Sequence, residues 1–234
     1  NSLSSFYMTN YQGQAQQDKF VVHMTQKKKN GYFLEIGSND PVAINNTYVL
    51  EKEYGWKGIM IDIRDSWLWK WEEERPNSTY IIQDATQIDY SNLFSLHNVP
   101  SCIDYLQIDL DVTTGSTLAT LKKLDAEVMD NHKFATITFE HDIYDTNKDN
   151  TRLESREIFK KRGYQRIFSD VNNQGVCPFE DWYVHPDLVD SELIAMVITR
   201  NKRHYKVGVD RPNYFDESPV HTSINWEDIE YDDI

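Results

Sequence analysis

The sequence predicts a doubly wound α/β fold: a seven-stranded sheet with helices on both faces and its last strand antiparallel. Three observations predict it. Short apolar runs alternate with segments of helical periodicity through most of the 234 residues, as strands joined by crossover helices do. The last two strand-like runs lie close together, as a hairpin-like pair would. A glycine closes the first run, where an open sheet of this kind meets its ligand.

Element by element, Tyr32 to Ile36 reads as a buried strand ending at Gly37, and Thr47 to Tyr54 as a helix. Gly58 to Ile63 is a second strand, followed by a helix from Trp67 to Glu74 that stops before Pro76. Tyr80 to Ile82 is a short third strand, and Tyr90 to Leu96 a weak helix. Ile103 to Ile108 is the fourth strand. Ser116 to Val128 is a helix with Leu118, Leu121 and Leu124 at three-residue spacing. Phe134 to Phe139 is the fifth strand, and Arg152 to Lys161 a helix ended by Gly163. Tyr164 to Phe168 and Trp182 to His185 form the final pair. Hydrophobic periodicity fades from about Asn201, leaving an acidic tail with Asp210, Asp216, Glu217, Glu227, Asp228, Glu230, Asp232 and Asp233.

Composition narrows the function. The hydrophobic fraction of 39% is that of a globular chain, and no apolar run reaches the roughly 20 residues of a membrane span. Two cysteines, Cys102 and Cys177, make neither a disulfide framework nor a zinc site, so an intracellular, reducing (cytoplasmic) location is expected. The N-terminal residues lack the charged and apolar regions of a secretory signal. The missing initiator Met reads as a trimmed chain, a tag scar, or one domain of a larger glycan-modifying protein. A net charge of −14 repels phosphate backbones, so no nucleic-acid partner is expected. Lys27, Lys28 and Lys29 read as a solvated helix end.

The strand ends carry the candidate chemistry. After strand one stands Glu35-Ile36-Gly37-Ser38-Asn39-Asp40. The glycine permits a tight turn and close ligand approach, and Glu35 can accept from an ammonium group. Asp62 lies 25 positions beyond Gly37, near the roughly 20 expected of a ribose-reading carboxylate. Asp84-Ala85 follows strand three, where an adenine edge would be read. Alone, Glu35 could be a helix-cap acceptor and Asp62 a solvated loop carboxylate; their order points to a nucleoside site. A GxGxxG run is absent, which removes the main support for a nicotinamide reductase.

Several segments resemble the FkbM-type methyltransferases. They are Tyr11-Gln12-Gly13-Gln14, Gln16 to Val21, Gly31 to Asp40, Asn45 to Lys52, Gly55-Trp56-Lys57-Gly58, Asp104 to Asp109, Glu140-His141 and Arg162-Gly163-Tyr164. The resemblance implies a class I, Rossmann-like methyltransferase using S-adenosyl-L-methionine for O-methylation of a sugar hydroxyl in a glycan or glycosylated product. It also implies that Glu35, Gly37, Asn46, Thr47, Asp62 and Asp84 line the donor pocket, joined by Gln12, Ser38, Asn39, Ile63, Ala85 and Asp109. On this reading residues 1–18 contribute to the donor site, 19–200 form the methyltransferase domain and 201–234 the tail. Two departures stand out. Asn39-Asp40-Pro41 replaces a glycine-bearing loop, and Asp109-Leu110-Asp111 replaces an Asp-Glu-Gly pattern.

Strands four and five end in Asp109, Asp111, Glu140, His141 and Asp142. Methyl transfer to a hydroxyl needs positioning and a proton acceptor. His141 could be that base. Alternatively Asp109, Glu140 and His141, with Asp111 or Asp142 as substitutes, could hold Mg2+ or Mn2+ and acidify the acceptor. A third reading makes these residues helix caps and loop contacts. Trp67, Trp69 and Trp71 cannot share one helix face, so core packing is expected for some and an adenine or oligomer contact for one. Trp182, Tyr183 and His185 offer an apolar floor for a sugar ring, with Asp181 as a spare carboxylate. A polyketide or phenol methyltransferase, or a catalytically silent donor- or glycan-binding domain, would fit the same residues.

Overall fold

The computed structural model describes residues 9–144, 150–171 and 178–203. Its elements are α1 (Gln17–Met24), β1 (Tyr32–Ile36), α2 (Tyr48–Tyr54), β2 (Lys57–Asp62), α3 (Leu68–Glu74), β3 (Thr79–Ile82), α4 (Tyr90–Leu96), β4 (Cys102–Ile108), α5 (Ser116–Glu127), β5 (Lys133–Glu140), α6 (Thr151–Lys161), β6 (Gln165–Val171), β7 (Glu180–Val184) and α7 (Ser191–Arg203). One turn of 3-10 helix, Ala85–Gln87, follows β3.

The strands form one seven-stranded sheet in the order β3-β2-β1-β4-β5-β7-β6. β7 runs antiparallel to both β5 and β6, while the remaining neighbours are parallel. The order reverses between β1 and β4, which opens a crevice beyond their carboxyl ends.

Alternation along each strand sorts side chains between two cores. Phe33, Met60, Tyr105, Trp182 and Val184 pack under α1, α2 and α7. Leu34, Ile36, Ile61, Leu106, Ile108 and Phe139 pack under α4, α5 and α6, where Leu121, Leu124 and Phe159 meet them. The leucine spacing read in α5 is thus its buried face. Gly163, with φ +84°, ends α6 in the left-handed conformation a C′ residue adopts.

The sequence reading assigned neither α1 nor α7. α7 is capped by Asp190, whose Oδ1 accepts from the amides of Glu192 and Leu193, both at 2.9 Å. It buries Leu193, Ile194 and Val197. α7 carries helical backbone to Arg203; the tail acids and Cys177 lie outside the described residues. Lys27 to Lys29 are exposed and follow directly on α1, whose terminal turn closes with Lys27 N–H donating to Val22 O at 2.8 Å. Among the described residues no helix is long and apolar enough to cross a membrane.

Candidate donor and acceptor site

The pairing register places one row of residues across the carboxyl edge of the sheet. Ile61, Ile36, Ile108 and Phe139 are successive partners in β2, β1, β4 and β5. One residue further on stand Asp62, Gly37, Asp109 and Glu140, and Glu140 pairs directly with Glu180 of β7. Paired residues point to the same face, so four carboxyl groups line up with a single glycine between them.

The glycine is required there. Gly37 has φ +88°, and a Cβ on it would lie 1.7 Å from the carbonyl oxygen of Asp109. Ladder bonds from Gly37 N–H to Ile61 O (2.8 Å) and from Asp109 N–H to Ile36 O (2.9 Å) hold the three chains this close. Beyond them lies a cleft of about 500 Å³ lined by Gly37, Asn39, Asp62, Ile63, Asp84, Ala85, Asp109 and Asp111 among the predicted residues. Arg64, Gln83, Leu110 and Ser116 also line it and were not among the expected site residues.

Asp62 is 5% exposed and accepts from Asn39 N–H at 2.8 Å and Arg64 N–H at 2.9 Å. Asp84 caps the turn after β3, accepting from the amide and hydroxyl of Thr86 at 2.9 and 2.7 Å. The cap leaves Asp84 on the cleft wall.

Glu35, Ser38, Asn46 and Thr47 do not line the cleft but form a buried layer beside it, and the half-buried Gln12 does not line it either. Glu35 Oε2 accepts from Thr47 Oγ1 (2.9 Å) and Asn45 Nδ2 (3.3 Å). Burial pushes the Glu35 carboxyl up to about 7, against the pull of Arg75. Asn46 Nδ2 donates to Gln107 Oε1 at 2.6 Å. Glu35 Oε1 and Asn46 Oδ1 are buried acceptors without a hydrogen-bond partner among the described residues. Ser38 Oγ donates to the Glu35 carbonyl at 3.1 Å and so braces the turn. The Gln12 and Gly13 amides donate to Asp18 Oδ2 at 2.6 and 3.1 Å, which seats this segment against Asn46.

The loop from Ser38 to Thr47 is fixed from behind by Arg75. Its guanidinium donates to Glu51 Oε2 (2.7 Å), Asn45 Oδ1 (3.0 Å), Pro41 O (3.2 Å) and Thr47 Oγ1 (2.7 Å), with both charged side chains fully buried. The indoles of Trp67 and Trp71 donate to Asn39 Oδ1 and O at 3.2 and 3.0 Å. Trp71 is core and stacks on Tyr80 with ring centroids 4.7 Å apart, whereas Trp69 is 63% exposed.

On the acceptor side, Asp109 opens on the cleft but is ringed by protein. Burial raises its carboxyl, opposed by a hydrogen bond to Glu140. Glu140 is driven far above the usual carboxylate range by burial and by its bonds to Asp109 and Asp142. A hydrogen bond between two carboxyls requires a proton on one of them, and the larger rise at Glu140 places it there. Glu180, missed from the sequence, accepts from Trp182 Nε1 at 2.6 Å, and burial pushes it up to about 8.

His141 is not part of this row. It follows Glu140 in chain order, and its Nε2 lies 3.4 Å from both Asp170 Oδ1 and Asp181 Oδ1. Its Nδ1 accepts from Ile143 N–H at 3.2 Å, and its side chain is fully buried. The expected set Asp109, Glu140 and His141 is thus not assembled as metal ligands. The cluster of converging ligand atoms among the described residues is His141, Asp170 and Asp181. Two guanidinium groups already neutralise it: Arg152 donates to Asp170 at 2.7 and 2.6 Å, and Arg156 to Asp181 at 2.6 and 2.8 Å. A cation there would have to displace two arginines. Asp111, a proposed substitute ligand, is turned to Thr113 N–H at 2.9 Å, and Asp142 bonds to Glu140. Among the described residues, Asp109 and Glu140 are not joined by His141, Asp111 or Asp142 in a set of three converging ligand atoms.

The apolar floor expected of Trp182, Tyr183 and His185 is also corrected. Trp182 packs on Phe20 and Phe168 with centroids at 4.8 and 5.2 Å, and Tyr183 on Phe159 at 4.4 Å; both are core. His185 is 4% exposed against Tyr164, and Asp181 is committed to Arg156.

The strand order, with β7 reversed, is that of the class I methyltransferase sheet. No family model and no curated protein matches the chain. Among solved structures it is similar to a TehB-like SAM-dependent methyltransferase from Corynebacterium glutamicum (9% identity, 72% of this chain and 87% of that one, TM-score 0.46). It is also similar to an rRNA methylase from Streptococcus thermophilus (14% identity, 72% and 94%, TM-score 0.46). A third is the 1,6-didemethyltoxoflavin-N1-methyltransferase of Burkholderia thailandensis with bound S-adenosylhomocysteine (10% identity, 74% and 79%, TM-score 0.42). At these levels the fold assignment rests on the strand order itself.

Proposed function

We propose that the chain is an S-adenosylmethionine-dependent O-methyltransferase acting on a sugar hydroxyl of a glycan or glycosylated product. The observation that carries the donor reading is the cleft, which gathers Gly37, Asp62-Ile63, Asp84-Ala85 and Asp109 from the ends of β1, β2, β3 and β4. A nucleoside thioether fits these groups. Asp62 accepts from the ribose hydroxyls, Ile63 covers an adenine face and Asp84-Ala85 read its edge. The orphaned Glu35 Oε1 and Asn46 Oδ1 supply buried acceptors for an ammonium group. An ammonium beside Glu35 would favour its ionised form, reversing the effect of burial.

When bound, S-adenosylmethionine supplies a methyl group already activated on a sulfonium. The protein's tasks are to position the acceptor and take its proton. Asp109 is the member of the carboxyl pair that lines the cleft. It accepts the hydroxyl proton, and the bond to Glu140 holds it in place. His141 acts behind them, tying the end of β5 to β6 and β7. The sugar acceptor rests on the FkbM-type resemblance, whose alternatives are a polyketide or phenol hydroxyl.

The test is transfer of labelled methyl to a panel of oligosaccharides and glycosides, with and without chelator. Transfer that survives chelation and falls about 100- to 10,000-fold in Asp109→Asn supports the reading. Label reaching only amines, or an Asp109→Asn protein as active as the parent, would contradict it.

A further inference from the structure

Asp62 already has as many hydrogen bonds as a carboxylate can accept. Its Oδ1 takes Arg64 N–H at 2.9 Å and Arg64 Nε at 3.2 Å; its Oδ2 takes Asn39 N–H at 2.8 Å and, as a long contact, Arg64 Nη2 at 3.5 Å. An ionised carboxylate has about four acceptor positions, and all are in use. Two are held by backbone amides. The fold fixes these: Trp67 and Trp71 anchor the Asn39 loop, and the Tyr80 hydroxyl donates to the Arg64 carbonyl at 2.8 Å.

The other two positions are held by a guanidinium that is free to leave. The Arg64 side chain is 58% exposed, lines the cleft, and turns back on Asp62 from only two residues away. We propose that Arg64 is an intramolecular competitor for the ribose site. Its guanidinium occupies the lone pairs that a ribose diol would use, and it must swing out for a nucleoside to enter. The inference rests on the donor reading above. It adds a selectivity consequence: only a ligand that places both ribose hydroxyls on Asp62 offsets the bonds lost by displacing Arg64.

Arg64→Met keeps the apolar stem and removes the competing donors. Calorimetry with S-adenosylhomocysteine at low and high salt reads the effect on the full chain. The variant should bind about 2- to 5-fold more tightly than the parent at low salt. The parent's affinity should rise with added salt, because screening weakens the Arg64–Asp62 pair, while the variant's should stay flat. Equal or weaker binding by Arg64→Met, or a parent affinity that ignores salt, overturns the inference and leaves the donor reading standing. Failure of both folded proteins to bind the thioether removes the donor reading, and this inference with it.

Discussion

The two halves of the carboxyl edge solve opposite problems with the same residue type. In the donor half, Asp62 is held by two backbone amides and the exposed Arg64 guanidinium, and Asp84 by the amide and hydroxyl of Thr86, and both line an open cleft. In the acceptor half, Asp109 opens on the same cleft but bonds to Glu140, and desolvation and the repulsion among Asp109, Glu140 and Glu180 raise all three. Behind them, Asp170 and Asp181 stay ionised because Arg152, Arg156 and His141 face them. A carboxylate held by amides is a fixed acceptor for neutral hydroxyls, whereas a carboxyl pair that shares a proton can gain or lose one. The first suits binding and the second suits proton transfer.

The strongest way to break the comparison is at the glycine between the halves. Gly37→Ala should cost at least about 3 kcal/mol of stability, since it adds a clash with Asp109 O to an unfavourable positive φ. Chemical denaturation measures this. A loss under 1 kcal/mol, on the order of a surface change, would mean that β1 and β4 need not approach so closely.

Next come the buried arginines. Arg75→Leu strands Glu51 on the donor side, and Arg156→Leu weakens the pairing of Asp181 on the acceptor side. Stranding a buried charge costs about 3–5 kcal/mol. The Arg75 variant should lose the full amount, because no second guanidinium among the described residues pairs with Glu51. The Arg156 variant should lose less, because His141 and Arg152 remain in the network. Equal losses would show that the two halves are not braced differently.

A smaller effect separates the halves by pH. Raised carboxyls bind more protons in the folded than in the unfolded state, so their contribution to stability falls as pH rises. For Glu180 that fall spans about 4.5 to about 8, and for Glu35 about 4.5 to about 7. Asp181 behaves oppositely: held well below its usual value, it contributes stability that is lost only as pH drops through its folded value. His141, raised despite burial, contributes below its unfolded value of 6.5 and loses that contribution as pH climbs through its folded one. Glu180→Gln should therefore flatten the decline in unfolding free energy across that window and leave the acid limb in place. An unchanged slope in urea titrations would argue that Glu180 is already ionised. The smallest expected effect is at Trp69→Ser, where an exposed ring should change melting by no more than about 0.5 kcal/mol.

Much of the donor half was legible because it is written in short segments. Strand ends, Gly37, Asp62 and Asp84 follow from apolar runs that stop at polar residues. The acceptor half depends on register. Whether Glu180 or Asp181 faces Asp109 is decided by a one-residue choice in the β5–β7 pairing, and that choice sends the two to opposite faces. The same parity put His141 with Asp170 and Asp181 rather than with Glu140. Arg64 escaped notice because a polar residue after a strand looks like solvated loop until its carboxylate partner is seen. α7 had a readable signal, an aspartate cap before Leu193, Ile194 and Val197, that the fading periodicity nearby obscured.

Asp62 is proposed as the ribose-reading carboxylate of a nucleoside thioether site. Calorimetric titration of S-adenosylhomocysteine into the parent protein and Asp62→Ala tests it most directly. Saturable one-to-one binding by the parent and a loss of about 10- to 150-fold in the variant are expected, the worth of a hydrogen bond to a charged group. Parent binding that Asp62→Ala leaves unchanged would contradict the claim.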